Sequence, residues 1–230
     1  LAASGAYLAA MMASGNLTTE LYIPFVGVTL ELGVLYYVFA LILLTGVVNA
    51  VNLTDGIDGL VSSVTLVVGV FFALCAFILP DMCELTVPSA LIIASSAGFL
   101  IYNFYPARVF MGDTGSLFLG GAVAGLAFAC DQPIALVFVG LIYVIETLSD
   151  ILQVSYYKAT KKPVLDENGQ PVRDAKGNVK MQGKRIFKKA PIHHHFQLCG
   201  WSEKKIVLIF AGITVVMCVL AYFGTAPHYL

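Results

Sequence analysis

Apolar residues in this chain come in long unbroken runs rather than in alternation. The runs cover approximately 1–13, 34–51, 60–79, 88–104, 117–130, 133–157 and 206–223. Crossing a bilayer by helix takes about 20 predominantly apolar residues. The pattern therefore predicts an all-α polytopic integral membrane protein with about seven transmembrane helices. The 117–130 run is short, and Asp131-Gln132-Pro133 parts it from 133–157. Proline and a charge break a span, so two helices joined by a tight turn are expected there. Residues 158–190 lack such runs. An Asn168-Gly169 turn between short apolar arms, and a second turn at Lys176-Gly177-Asn178, predict one or two small β-hairpins.

Charge gives the runs a direction. Every lysine falls within 158–205, and the arginines are Arg108, Arg173 and Arg185. By the positive-inside rule 158–205 is a cytoplasmic loop. Alternation then puts 52–59 and 105–116 on the same side, and 14–33, 80–87 and 131–132 outside. The outer stretches carry Glu20, Glu31, Asp81, Glu84 and Asp131, with no lysine or arginine. The chain reads as one membrane domain, 1–230, with 158–205 as its last cytoplasmic loop.

Composition narrows the classes. The chain is 59% hydrophobic and 12% charged, more apolar than a soluble domain requires. Its net charge of −1 gives no electrostatic case for nucleic acid. Leu1-Ala2-Ala3-Ser4-Gly5 has no initiator Met and no positive region. It reads as the middle of a membrane helix rather than a secretory signal, so an N-terminal part is expected before it. The cysteines, Cys75, Cys83, Cys130, Cys199 and Cys218, form no CxxC pair and are expected to be free thiols. Gly121 and Gly125 stand at GxxxG spacing, a helix-packing signal that includes a homodimer among its uses.

Three polar clusters interrupt the runs, all on the expected cytoplasmic side. Carboxylates beside lipid are costly and normally face a cavity or carry function. In NLTDGIDGL, the residues Asn52, Asp55 and Asp58 are spaced i, i+3, i+6 and share a face if a helix continues through them. Gly56 and Gly59 let a ligand approach the backbone. The plainer alternative is a loop in which Asp55 or Asp58 caps the next helix. In FMGDTGS, Asp113 stands where a new helix starts, a place that can offer backbone N–H groups to phosphate. Asp113 with Asp55 or Asp58 would suit Mg²⁺, which takes carboxylate oxygens together with substrate phosphate oxygens. Phe110 is either an interfacial anchor or a stacking face for a base. The third cluster, PIHHHF, holds His193, His194 and His195. Adjacent histidines point in different directions and lack zinc spacing. With Lys188 and Lys189 nearby, they suit an anionic substrate such as a pyrophosphate better.

These strings closely resemble the polyprenyl-phosphate N-acetylhexosamine phosphate transferases, and PIHHHF favours the bacterial phospho-N-acetylmuramoyl-pentapeptide branch. The likeness runs along essentially the whole chain. It implies ten membrane helices, Mg²⁺, and an active site facing the cytoplasm at the bacterial inner membrane. It implies transfer of phospho-MurNAc-pentapeptide from UDP-MurNAc-pentapeptide to undecaprenyl phosphate, a membrane lipid, giving lipid I and UMP for peptidoglycan synthesis. By position, Asp113 matches the Mg²⁺ ligand, and Asn52 and Asp55 match residues near the metal and diphosphate. Gly56, Ile57, Asp58, Asn103 and Phe110 match the uridine pocket, with Phe110 against the uracil. His193, His194 and His195 match the histidine motif beside the diphosphate.

One departure stands out. The family's DDxxK motif is missing, and no Asp-Asp pair occurs in the sequence. With about seven helices against ten, the motif is expected upstream of Leu1. Transfer of N-acetylglucosamine phosphate is the alternative within the family. A transporter is the alternative outside it, disfavoured because the carboxylates sit at helix ends rather than mid-membrane. A membrane metalloprotease is weaker still, for want of a zinc motif.

Overall fold

The computed structural model describes residues 1–15, 18–78, 80–167, 169–173 and 176–226, with backbone alone at 80–82. The chain folds into two compact units: Leu1–Val144 with Ser202–Leu230, and Ile145–Trp201.

The first unit is mostly helical. α1 is Ala2–Ser14, α2 Val34–Thr54, α3 Leu60–Ile78, α4 Thr86–Asn103, α5 Gly112–Ala129 and α6 Ala135–Val139. α7, Leu141–Ala159, begins here and runs into the second unit, where α8 is Ile192–Leu198. α9, Glu203–Thr225, returns to the first. Ser202 caps α9 by accepting from the Lys205 N–H, as expected for serine at a helix start.

Among the described residues, four helical stretches are long and apolar enough to cross a membrane: Val34–Thr54, Leu60–Ile78, Cys83–Asn103 and Glu203–Thr225. Large apolar side chains such as Val38, Ile42, Leu91, Leu208 and Val216 face outward on them, the pattern of helices solvated by lipid. This is a membrane protein. The other expected runs form helices of different character. α1 has 13 residues. The 133–157 run divides at Gly140 into α6 and α7, and α7 carries Glu146, Asp150 and Lys158.

Packing in the first unit pairs α2 with α5, and sets α3 against α4 and α9. Tyr36, Ala40 and Leu44 of α2 bury against Ala124 and Phe128 of α5 and against Leu8 of α1. The small residue that matters most for α2 and α5 is Gly120. A Cβ there would lie 2.8 Å from the Val48 Cα, so only glycine permits this approach. The GxxxG pair is used differently. Gly125 accepts a 2.9 Å hydrogen bond from the Tyr7 hydroxyl through its carbonyl, while a Cβ added at Gly121 would meet nothing within 4 Å among the described residues.

The sequence pattern did not announce one element. β1, Glu20–Ile23, pairs antiparallel with β2, Val28–Glu31. The turn between them takes positive φ at Phe25 and Gly27. The hairpin docks on the end of α9, where the Tyr22 hydroxyl donates to the Gly224 carbonyl at 3.3 Å.

In the second unit, β3, Lys162–Pro163, pairs antiparallel with β4, Met181–Gln182. Bridges Leu165–Pro171 and Arg173–Val179 extend the pairing. Gly169 (φ 77°) and Gly177 (φ 83°) stand at the two reversals. Asn168 of the expected Asn-Gly turn lies outside the described residues.

Candidate active site

Two helix ends and one loop build the cavity in the first unit. α2 stops at Thr54, and Asp55 follows as its C-cap at φ −79°, ψ 51°. The helix does not continue through 52–58, so Asn52, Asp55 and Asp58 do not share one helical face. A glycine leads into the next helix. Gly59 adopts φ +76°, and a Cβ there would come within 3.2 Å of the Phe104 ring; left-handed backbone against a neighbour needs glycine. Neither aspartate caps α3, whose first turn forms through Leu60 N–H to the Ile57 carbonyl and Ser63 N–H to the Gly59 carbonyl. Asp58 instead reaches across the loop, accepting from the Ala107 N–H at 2.8 Å.

Asn103, the last residue of α4, performs a similar task. It is buried, accepts from the Gly59 N–H at 3.0 Å and donates to the Val109 carbonyl at 3.0 Å. Each end of its amide thus makes one bond that holds the 56–59 turn against the 104–110 loop. Phe110 follows on that loop with its side chain exposed at the cavity edge.

Asp113 sits in the first turn of α5, where a negative charge is favoured by the helix dipole. Its Oδ1 accepts from Asn52 Nδ2 at 3.1 Å, and Asn52 Nδ2 also reaches Ser116 Oγ at 2.8 Å. Ser116 Oγ in turn donates to the Gly112 carbonyl at 3.1 Å. One asparagine therefore ties the end of α2 to the start of α5. Burial, and next the charge of Asp113, push the Asp55 carboxyl above the ordinary carboxylate range.

The result is a polar cavity of about 270 Å³. Asn52, Asp55, Gly56, Ile57, Asp58 and Asn103 line it from one side, and Phe110 to Asp113 from the other. All eight site residues expected in the first unit meet there. Sequence reading did not single out Ser116 and Met111. Ser116 stood in plain view as the last letter of FMGDTGS, but its partner 64 residues away did not.

The donor set bears on the expected metal. The lining residues include three aspartates and no lysine or arginine. Mutual repulsion already shows at Asp55. Among the described residues no group of three His, Cys, Asp or Glu is placed to hold an ion unaided. One or two carboxylates completed by substrate phosphate oxygens is how Mg²⁺ is commonly bound, so the residues fit that ion.

The histidines belong to the second unit and are not equivalent. His193 is fully buried, with Nδ1 at 2.9 Å from Glu146 Oε2. His194 Nδ1 lies 2.7 Å from Gln197 Oε1. Burial, the leading cause, lowers the His194 pKa below the usual imidazole value, and the Gln197 hydrogen bond opposes that. His195 Nδ1 accepts from the Lys188 N–H at 3.1 Å. Sequence reading missed Glu146. Its signal was a carboxylate inside the apolar 133–157 run, which holds only Glu146 and Asp150, since a carboxylate in such a run is costly unless it has a use.

A membrane protein whose helix ends gather carboxylates and an asparagine around a polar cavity has close kin. Residues 1–131 match the model of glycosyl transferase family 4, and the chain belongs to that family. It is 44% identical to the phospho-N-acetylmuramoyl-pentapeptide-transferase of Acetivibrio thermocellus over 209 residues, 90% of this chain and 57% of that protein. It is similar to proteins of the same name from Clostridium acetobutylicum, 45% identical over 90% of this chain and 58% of that protein. The Clostridium perfringens SM101 relative is 47% identical over 89% of this chain and 56% of that protein. The chain thus spans rather more than half the length of the relatives it matches.

Proposed function

We propose that this chain carries the nucleotide and metal site of a phospho-N-acetylmuramoyl-pentapeptide transferase. It moves phospho-MurNAc-pentapeptide from UDP-MurNAc-pentapeptide to undecaprenyl phosphate, giving lipid I and UMP in peptidoglycan synthesis. The observation that carries this reading is the tie from Asn52 to Asp113, which brings two motifs 61 residues apart onto one cavity. The names of relatives 44–47% identical support it.

The chemistry follows from the cavity. A phosphate oxygen of the lipid attacks the β-phosphorus of the nucleotide sugar; the bond to the bridging oxygen breaks, and UMP leaves with that oxygen. Such transfer depends on positioning and charge neutralisation more than on covalent help from the protein. Asp113, aided by Asp55, would hold Mg²⁺, which supplies the positive charge that the lining residues lack. Asn52 keeps Asp113 in place. Asp58 and Asn103 brace the walls, Gly56 and Ile57 leave backbone open to the nucleoside, and Phe110 offers a ring for the uracil. A role for His193, His194 and His195 toward the diphosphate is carried by the family resemblance alone. In this reading the site faces the cytoplasm at the inner membrane; the lysine-rich segment 158–205 supports that orientation through the positive-inside rule.

The test uses the intact protein in nanodiscs with undecaprenyl phosphate, Mg²⁺ and UDP-MurNAc-pentapeptide. The expected result is UMP release matched mole for mole by a lipid-linked product, with none from UDP-GlcNAc. Absence of lipid product would overturn the activity, and product from UDP-GlcNAc alone would move the chain to the other branch.

A further inference from the structure

We infer that Glu146 is a positioning residue for the histidine motif: it fixes the tautomer and orientation of His193 through a buried carboxylate–imidazole hydrogen bond. The inference rests on the reading above, in which that motif serves the reaction.

The geometry is specific. Glu146 lies on α7 and His193 in the first turn of α8, and both side chains are fully buried in the second unit. Glu146 Oε2 stands 2.9 Å from His193 Nδ1 and 3.5 Å from the His193 backbone N. An ionised carboxylate can only accept. Nδ1 therefore carries the proton, and Nε2 is left with its lone pair when the ring is neutral. The partner of one ring nitrogen sets the role of the other.

The same logic sorts the neighbours. The 2.7 Å contact of His194 Nδ1 with the Gln197 side-chain oxygen places the proton on Nδ1, so Nε2 can accept. His195 is reversed. Its Nδ1 accepts from the Lys188 N–H, so Nε2–H is a donor. Three chemically identical side chains are thus given a fixed order of acceptor and donor faces by three different partners.

A structural role alone accounts poorly for the Glu146–His193 pair. Glu146 Oε1 and His193 Nε2 are buried with no hydrogen-bond partner among the described residues. A half-satisfied buried polar pair is a poor way to hold two helices together, and well-packed apolar residues often do as well or better. Keeping imidazole and carboxylate there makes sense if the imidazole is used.

The experiment compares wild type with Glu146→Gln, whose amide oxygen still accepts from Nδ1–H, and Glu146→Leu, which cannot accept. Each is studied as the intact protein in nanodiscs, by ¹⁵N NMR of histidine-labelled protein and by steady-state transfer kinetics. Wild-type His193 should show Nδ1 as the protonated nitrogen. Glu146→Leu should lose that signature, with kcat falling on the order of 10-fold or more, the scale seen when groups that orient functional imidazoles are removed. KM for the nucleotide sugar should change less than about twofold, as for an interaction made only in the transition state. Glu146→Gln should keep the tautomer and recover much of kcat. A wild-type spectrum with the His193 proton on Nε2 overturns the inference whether or not either variant folds. So does a Leu variant with wild-type kcat. If wild type makes no lipid product while the tautomer is as stated, the functional reading has failed and not the positioning.

Discussion

Asn103→Ala removes a side chain that lines the cavity and bonds the protein on both sides of it. Two hydrogen bonds go, from the Gly59 N–H and to the Val109 carbonyl, each 3.0 Å long. They are not equal. The Gly59 N–H is buried, and leaving a buried donor unpaired costs about 1–3 kcal/mol. The bond to the Val109 carbonyl is only part-buried, so water can replace the lost donor there and the cost is about 0.5 kcal/mol. The Asp58 bond to the Ala107 N–H survives, so the two loops separate only in part. About 2 kcal/mol then falls on the placement of the 56–59 turn against Phe110, equivalent to roughly a 30-fold weaker Kd. Titration calorimetry of UMP into the intact protein with Mg²⁺ reads this directly. A thermal melt of the same sample shows whether the helices are intact. UMP affinity within about twofold of wild type, with the melt unchanged, would refute the claim that this amide sets the cavity wall.

The other expectations concern single groups. Asp113→Asn should lower Mg²⁺-dependent turnover on the order of 100-fold, since several kcal/mol of charge stabilisation can rest on one ion; near-normal turnover at saturating Mg²⁺ removes it from the metal site. Phe110→Ala should weaken UMP and UDP-sugar binding alike by about 1–3 kcal/mol, the scale of stacking on a base, whereas unchanged UMP affinity leaves Phe110 an interfacial anchor. Because the Asp55 pKa is raised in the folded state, folding favours its protonated form: that contribution is present at low pH and lost as pH rises through the raised value. Asp55→Asn should therefore raise the Tm of metal-free protein at neutral pH and give no gain below the ordinary carboxylate range; melts at both pH values decide it. Gly59→Ala should destabilise by about 1–2 kcal/mol because an L side chain at positive φ is strained, read by denaturation of the reconstituted protein.

Much of the site was legible because its chemistry is local in sequence. Asn52, Asp55 and Asp58 sit within seven residues, and FMGDTGS names its own loop and helix start. What could not be read was how the pieces touch. The i, i+3, i+6 spacing pointed to a helical face, yet the helix ends at Thr54, before Asp55-Gly56 and Asp58-Gly59. Asn103 was expected at the nucleotide by resemblance, and only the fold shows that it also bonds the Gly59 N–H and the Val109 carbonyl. The 20–31 hairpin was hidden because its strands are four residues each, too short for a clear alternation. Gly140 broke a run that read as one span. There a Cβ would come 2.7 Å from the Leu136 carbonyl oxygen, a steric fact that composition does not carry.

Val48 stands one helical turn before Asn52, and Gly120 two turns after Asp113. Their backbone contact therefore acts as a gauge block for the polar cavity beyond it. The unit that could be transplanted to another scaffold is not the pair of loops, although they hold every recognisable letter of the motifs. It is the α2–α5 helix pair with its glycine seat. A graft of NLTDGIDGL and FMGDTGS onto helices spaced by larger residues would keep the letters and lose the Asn52–Asp113 distance. By the same reasoning, an inhibitor wedged between α2 and α5 at Gly120 could disable the site without resembling a nucleotide.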